Sequence, residues 1–155
     1  MPSTKHRPST ALIGAAGVHH VASELSLRGL IALPTTRNSP GIDLVVTNLA
    51  GTWHANIQVK TSTNKVTFWP IGEKYKDFVA PGNYYAFVRY IQKEARFEAF
   101  LETAEAVARD AKKDSDAALA RGNKPWAPCW PLPKDESNLA RVRTQWINFG
   151  LDHLE

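Results

Sequence analysis

Three side chains that could act together on a phosphate lie on two neighbouring predicted strands. Asp43 lies near the start of an apolar run at 42–48, and Gln58 and Lys60 lie in a second run at 54–61. Because side chains alternate along a strand, Gln58 and Lys60 share one face. An acid, an amide and an amine on one patch of a sheet suit the hydrolysis of a phosphodiester.

The turn between these strands decides whether the three side chains meet. Ala50 and Gly51 are expected to form a hairpin turn, which fixes the pairing of the flanking residues. Asp43 then lies opposite Gln58, with about 4.5–5.5 Å between Cβ atoms, and Lys60 is its diagonal neighbour. A shift of one residue would separate them, so the hypothesis depends on this register.

The chemistry predicted for this patch uses a divalent cation. Asp43 is the predicted ligand of Mg²⁺ or Mn²⁺, and the side-chain carbonyl of Gln58 and the backbone carbonyl of Val59 are predicted to complete the protein's share of the ligands. Lys60 is predicted to orient or deprotonate the attacking water and to neutralise the phosphate. Its role as a base requires burial and a nearby cation to lower its pKa.

Loops on both sides of the patch supply candidate nucleic-acid contacts. Arg37 and Ser39 precede the acid, and Thr61, Ser62 and Lys65 follow the lysine. These side chains are expected to bind backbone phosphates, and an ordinary pair of solvated loops is the open alternative.

Residues outside the patch offer weaker chemistry. Glu24 is a further candidate metal ligand, but its spacing from Arg28 favours an i,i+4 ion pair. The sequence has no Cys/His spacing of a zinc site and no phosphate-binding loop, so no nucleotide cofactor is expected. A single cysteine, Cys129, and the lack of a long apolar run predict a cytoplasmic protein that does not span a membrane.

The elements that must position the patch are expected to form one domain of 155 residues. We predict an α/β (α+β) fold, with a central mixed sheet of about five strands flanked by helices. The predicted helices cover about 10–28, 103–121 and 135–148, and the predicted strands cover 30–33, 42–48, 54–61, 84–91 and 96–101. Residues 1–8 are expected to be a flexible arm, and the proline-rich segment 124–133 is expected to lack regular structure.

The order of these motifs resembles the core of the PD-(D/E)XK nuclease superfamily, especially its small restriction-endonuclease-like and Holliday-junction-resolvase-like members. Pro40-Gly41-Ile42-Asp43 matches the acidic motif, Gln58-Val59-Lys60 matches the (Glu/Gln)-x-Lys motif, and the helix from Gly17 to Gly29 looks like the first helix of the family. The resemblance covers about residues 10–110 and leaves 111–155 as a C-terminal helical addition. It implies a restriction-endonuclease-like fold, Mg²⁺-dependent cleavage of DNA and, as in many relatives, the option of a homodimer.

Two positions depart from the family pattern. The first helix of the family often carries a Glu where this chain has Val18, and the acid of the third strand is replaced by the neutral Gln58. Weak metal affinity is therefore expected. Two alternatives stay open beside the nuclease: a catalytically degenerate module that binds nucleic acid or a protein partner, and an assembly protein. The net charge of +4 is compatible with a nucleic-acid partner.

Overall fold

The order of elements is helix, strands, helix, short strand, helix. The computed structural model describes residues 8–36, 40–63 and 66–155. The helices are α1 (Thr10–Leu27), α2 (Ala104–Ala120) and α3 (Glu136–Asn148), and the strands are β1 (Ile31–Pro34), β2 (Leu44–Thr47), β3 (His54–Thr63), β4 (Phe68–Pro70), β5 (Asn83–Ile91), β6 (Arg96–Thr103) and β7 (Cys129–Pro131). Short 3-10 helices lie at Glu73–Phe78, Gln92–Glu94 and Leu151–His153.

Five strands form one mixed sheet in the order β1-β2-β3-β5-β6. β1 pairs antiparallel with β2, and β2 pairs antiparallel with β3. β5 runs parallel to β3, and β6 returns antiparallel to β5. The predicted fold class, an α+β fold whose five-stranded mixed sheet is flanked by helices, is confirmed. β4 and β7 pair with each other in a separate antiparallel ribbon.

Each face of the sheet has its own hydrophobic core. On one face, Val21 and Leu25 of α1 pack with Leu44 and Ile57 of the sheet. On the other face an aromatic cluster lies under α2 and the β4–β7 ribbon, and its largest members are Trp69, Tyr85, Phe87, Phe100 and Trp130. The strands of the sheet, including β3 with the candidate residues, are therefore packed on both faces.

Local sequence explains how α1 begins, ends and packs. The Ser9 hydroxyl accepts a hydrogen bond from the N–H of Leu12 at 3.3 Å and caps the helix. Gly29 follows the last turn with a φ of +88°, a conformation that glycine adopts readily. Gly17 is buried against β3, where an added Cβ would overlap the Thr61 hydroxyl. α1 can therefore approach the sheet closely only with glycine at this position.

The prediction for the proline-rich segment 124–133 is wrong at its end, because Cys129–Pro131 forms β7. Trp130 pairs with Trp69 of β4 and stacks on Phe87 with ring centroids 4.1 Å apart. Burial of two indoles therefore outweighs the local effect of the prolines. Further along the chain, Val142 of α3 joins the aromatic cluster, while Trp146 and Phe149 join the core under α1.

Among the described residues, no helix has the length and apolar character that crossing a bilayer requires.

Candidate active site

The hairpin that carries the candidate residues has the predicted register. Leu44 pairs with Ile57 and Thr47 pairs with His54, as expected for a turn centred on Ala50 and Gly51. Gly51 has a φ of +70°, which a tight turn requires and glycine supplies without strain. The next pair along this register, just before β2 begins, is Asp43 with Gln58.

Asp43 is bound to the residues on both sides of Gln58. Its backbone N–H donates to the carbonyl of Ile57 at 2.9 Å, and its Oδ2 accepts a hydrogen bond from the N–H of Val59 at 2.7 Å. Asp43 is half-buried at a bend immediately before β2. The acid is therefore held against the stretch of β3 that carries the amide and the amine.

The edge of β3 beside Asp43 is open. β2 pairs with β3 only as far as Ile57, whereas β3 continues to Thr63, and no described strand pairs with this edge beyond that point. The N–H and C=O of one strand residue point to the same side, and the N–H of Val59 points to Asp43. The carbonyl oxygen of Val59 therefore lies on the same open edge as the acid.

Gln58 and Lys60 project from the face of the sheet opposite α1. Their register partners on β5 are Tyr85 and Phe87, which belong to the aromatic cluster. Both side chains are half-buried, and neither forms a hydrogen bond or an ion pair within the described part of the chain. The amide and the ammonium group are thus placed at the sheet and available to a ligand.

Burial changes the chemistry of Lys60. It lowers the pKa of the ammonium group below its ordinary 10.5, and the nearby Asp43 carboxylate acts in the opposite direction without cancelling the shift. A desolvated ammonium group loses its proton more readily, which is the direction that a basic role requires. The effect of Asp43 on Lys60 also shows that the acid lies close enough to the amine to interact with it electrostatically.

Gln58 begins a polar row across the sheet that the sequence did not reveal. Tyr85 of β5 lies beside Gln58, and Glu102 of β6 lies beside Tyr85. Tyr85 is fully buried, its hydroxyl has no hydrogen-bond partner among the described residues, and burial raises its pKa to about 12. Glu102 is buried and paired with Arg141 at 2.7 Å. The register of the parallel β3–β5 pair depends on a long crossover, so pattern alone could not align these residues.

The predicted loop contacts need a correction. Thr61 and Ser62 lie inside β3 and not on a loop, because the strand extends to Thr63. Their hydroxyl oxygens are buried and have no partner among the described residues, and that of Thr61 lies against Gly17 of α1. Arg37, Ser39 and Lys65, the other predicted nucleic-acid contacts, lie outside the described residues.

Glu24 lies on the other side of the sheet from the candidate pair. It forms an ion pair with Arg28 at 3.5 Å, the contact that its spacing favours. α1 covers the face opposite to Gln58 and Lys60, so the structure does not bring Glu24 to them. Val18, at the position where the family often has an acid, packs on the hydrophobic core under α1.

A hard cation bound beside Asp43 would have few oxygen donors from the protein. The donors are one carboxylate, the carbonyl of Val59 on the same edge and the amide of Gln58. Within the described ranges, no group of three or more His, Cys, Asp or Glu side chains could hold a metal ion. Mg²⁺ tolerates such a small donor set, because it keeps several waters and often uses one or two carboxylates together with substrate phosphates.

No protein-family model, curated protein or solved structure matches the chain. Its function is therefore inferred from the chemistry of Asp43, Gln58 and Lys60 and from the order of its motifs.

Proposed function

We propose that the chain is a metal-dependent nuclease of the PD-(D/E)XK type that hydrolyses phosphodiester bonds in DNA. One observation carries the proposal: the Asp43 carboxylate accepts a hydrogen bond from the N–H of Val59. Val59 is the residue between Gln58 and Lys60, so this bond holds the acid beside both of them. An oxygen-rich edge beside an amine of lowered pKa is suited to phosphate chemistry. Few structural roles would require this combination on one half-buried patch.

Each residue of the patch has a distinct role in this proposal. Asp43, the carbonyl of Val59 and the amide of Gln58 would hold Mg²⁺ or Mn²⁺. When bound, the cation supplies Lewis-acid stabilisation of charge at the phosphate and makes water easier to deprotonate. Lys60 orients the attacking water or takes its proton when neutral, and binds a phosphate oxygen when protonated. The aromatic cluster behind Lys60 keeps bulk water from that side of the amine.

The order of elements supports the same assignment. A helix packed closely on the sheet precedes three antiparallel strands, with the acid just before β2 and the Gln-x-Lys motif on β3. This is the motif order that resembles the PD-(D/E)XK core. DNA is the proposed partner and a homodimer is compatible with the resemblance. Cys129, the one cysteine, is free, which supports a cytoplasmic location.

A second function, a binding module that no longer cuts, is favoured by one specific observation. Asp43 is the one carboxylate that the described structure places beside Lys60, since Glu24 pairs with Arg28 on the other side of the sheet. Such a module would bind nucleic acid or a protein partner through the same surface. The two functions differ in metal uptake and in cleavage.

Calorimetric titration with Mg²⁺ and Mn²⁺, followed by cleavage assays on plasmid, single-stranded and branched DNA, tests the proposal. The wild-type chain should take up one cation and cut, and Asp43→Asn should do neither. Asp152→Asn, at an exposed aspartate of the last 3-10 helix, is the matched control and should behave as wild type. Salt-sensitive DNA binding without metal uptake or cleavage would select the binding module. If the wild-type chain shows no metal uptake, no cleavage and no DNA binding, an assembly role would be the remaining hypothesis.

A further inference from the structure

Trp126 has the highest exposed fraction among the large hydrophobic side chains of the described chain, at 91%. It borders a groove of about 790 Å³ between the C-terminal part of α2, the 3-10 helix at Glu73–Phe78 and the segment that leads into β7. Pro125 and Pro128 flank the indole and restrict the backbone that presents it. The exposed indole therefore offers an open aromatic face on which a planar ligand can stack.

Charges around this groove favour an anionic ligand. Lys76, Arg121 and Lys124 line it, and none of the three forms an ion pair within the described residues. Two acids, Glu73 and Asp114, also line the groove. Burial and, to a smaller extent, Asp114 raise the pKa of the Cys129 thiol, so this acid acts at the β7 side of the groove.

The groove adjoins the candidate active site through one element. Tyr75 and Lys76 line the groove, and the 3-10 helix to which they belong ends at Phe78. The ring of Phe78 is 3.5 Å from the position that a Cβ on Gly41 would occupy, two residues before Asp43. The 3-10 helix therefore contacts both the groove and the segment that leads to Asp43.

We propose that this groove binds a single-stranded stretch of the nucleic-acid substrate, with an unpaired base stacked on Trp126 and backbone phosphates on Lys76, Arg121 and Lys124. The identity of the ligand as substrate rests on the proposed function. Stacking on an aromatic ring beside cations binds single strands without sequence preference. Bases in a duplex are already stacked on each other, so the groove selects DNA with an unpaired flank.

Binding in EDTA tests this groove separately from cleavage. Labelled single-stranded and duplex oligonucleotides are titrated with wild type, Trp126→Ala and the control Leu27→Ala, which truncates a side chain 81% exposed at the end of α1. Trp126→Ala should weaken single-strand binding by about 5- to 100-fold and leave duplex binding unchanged. Leu27→Ala should bind both ligands as the wild type does. Equal single-strand affinity of Trp126→Ala and wild type would overturn the proposal.

Salt dependence and the removal of single charges provide a second test. Lys124→Ala should reduce the slope of log affinity against log salt for single strands by about 0.7, because one phosphate contact is lost. Asp114→Asn should tighten single-strand binding, because it removes a negative charge from the lining. An unchanged salt slope for Lys124→Ala would contradict the proposal that this groove binds a single strand. Self-association of the chain through Trp126, in place of DNA binding, would contradict it too.

The two proposals fail in distinguishable ways. If the chain cuts DNA and Trp126→Ala binds single strands as the wild type does, the nuclease proposal is supported and the proposal of single-strand binding in the groove is wrong. If no DNA is cut but single-strand binding depends on Trp126, the proposed single-strand site is supported and the chain is a binding module.

Discussion

The carboxylate of Asp43 accepts a hydrogen bond from the N–H of Val59 at 2.7 Å, which ties the acid to the middle residue of the Gln-x-Lys motif. The contact extends the hairpin beyond the last paired residue of β2. It also leaves Oδ1 of the carboxylate without a hydrogen bond among the described residues. One side chain thus has a structural contact and a free oxygen, and substitutions can separate the two.

Asp43→Asn should retain the fold and Asp43→Ala should weaken it. Asparagine keeps an oxygen that accepts from Val59, so its free energy of unfolding should stay within about 1 kcal/mol of wild type. Alanine removes the acceptor and should cost about 1–3 kcal/mol. Urea denaturation measures both, and calorimetry should find metal uptake lost in both. Equal destabilisation by the two substitutions would show that charge, and not the hydrogen bond, holds the bend.

Gly17→Ala should destabilise the chain, whereas Gly14→Ala should stabilise it. A Cβ at position 17 overlaps the Thr61 hydroxyl of β3, and the overpacking should cost about 1–3 kcal/mol. Nothing lies within 4 Å of a Cβ at position 14 of the same helix, so alanine there should add about 0.5–1 kcal/mol. Thermal unfolding of the pair checks this. Similar shifts for both would mean that α1 does not pack on β3 at Gly17.

Tyr85→Phe should leave stability at neutral pH unchanged or raise it by about 1 kcal/mol, because it removes a buried hydroxyl that lacks a described partner. The pKa of Tyr85 is raised from 10.0 to about 12 by burial, so the unfolded chain loses this proton first as the pH rises. The wild type should therefore lose stability between pH 10 and 12 by more than the variant does. Denaturation across that range measures the difference, and parallel curves would contradict the burial of this hydroxyl.

Lys60→Met should unfold at a higher temperature than the wild type while losing cleavage. The substitution removes a desolvated ammonium group, and burial outweighs the attraction of Asp43 in setting its lowered pKa. Between the lowered pKa of the folded state and the ordinary 10.5, the unfolded wild type binds more protons than the folded one, so its deficit against the variant should shrink as the pH rises through that range. Thermal scans at several pH values check this. A Lys60→Met variant that is less stable than the wild type would mean that the ammonium group stabilises the folded state.

The hairpin and the first helix could be predicted because local residues determine them. Ser9 and Gly29 mark the ends of α1, and the Ala50-Gly51 turn sets the register that places Asp43 by Gln58. The β4–β7 ribbon was missed because its stability comes from the contact of Trp69 with Trp130, which are far apart in the sequence, and not from the local sequence of either segment. The neighbour of Gln58, Tyr85, was missed for the same physical reason, since the parallel pairing of β3 and β5 is set by tertiary packing.

Nicking of supercoiled plasmid by Lys60→Ala, measured beside its DNA affinity, tests the central claim most directly. The wild-type chain should nick plasmid with Mn²⁺ or Mg²⁺ and stop when EDTA is added. Lys60→Ala should bind DNA with nearly the wild-type affinity and show no nicking above background. Nicking by Lys60→Ala at the wild-type rate would remove the lysine of β3 from the mechanism and contradict the assignment of this patch as a nuclease site.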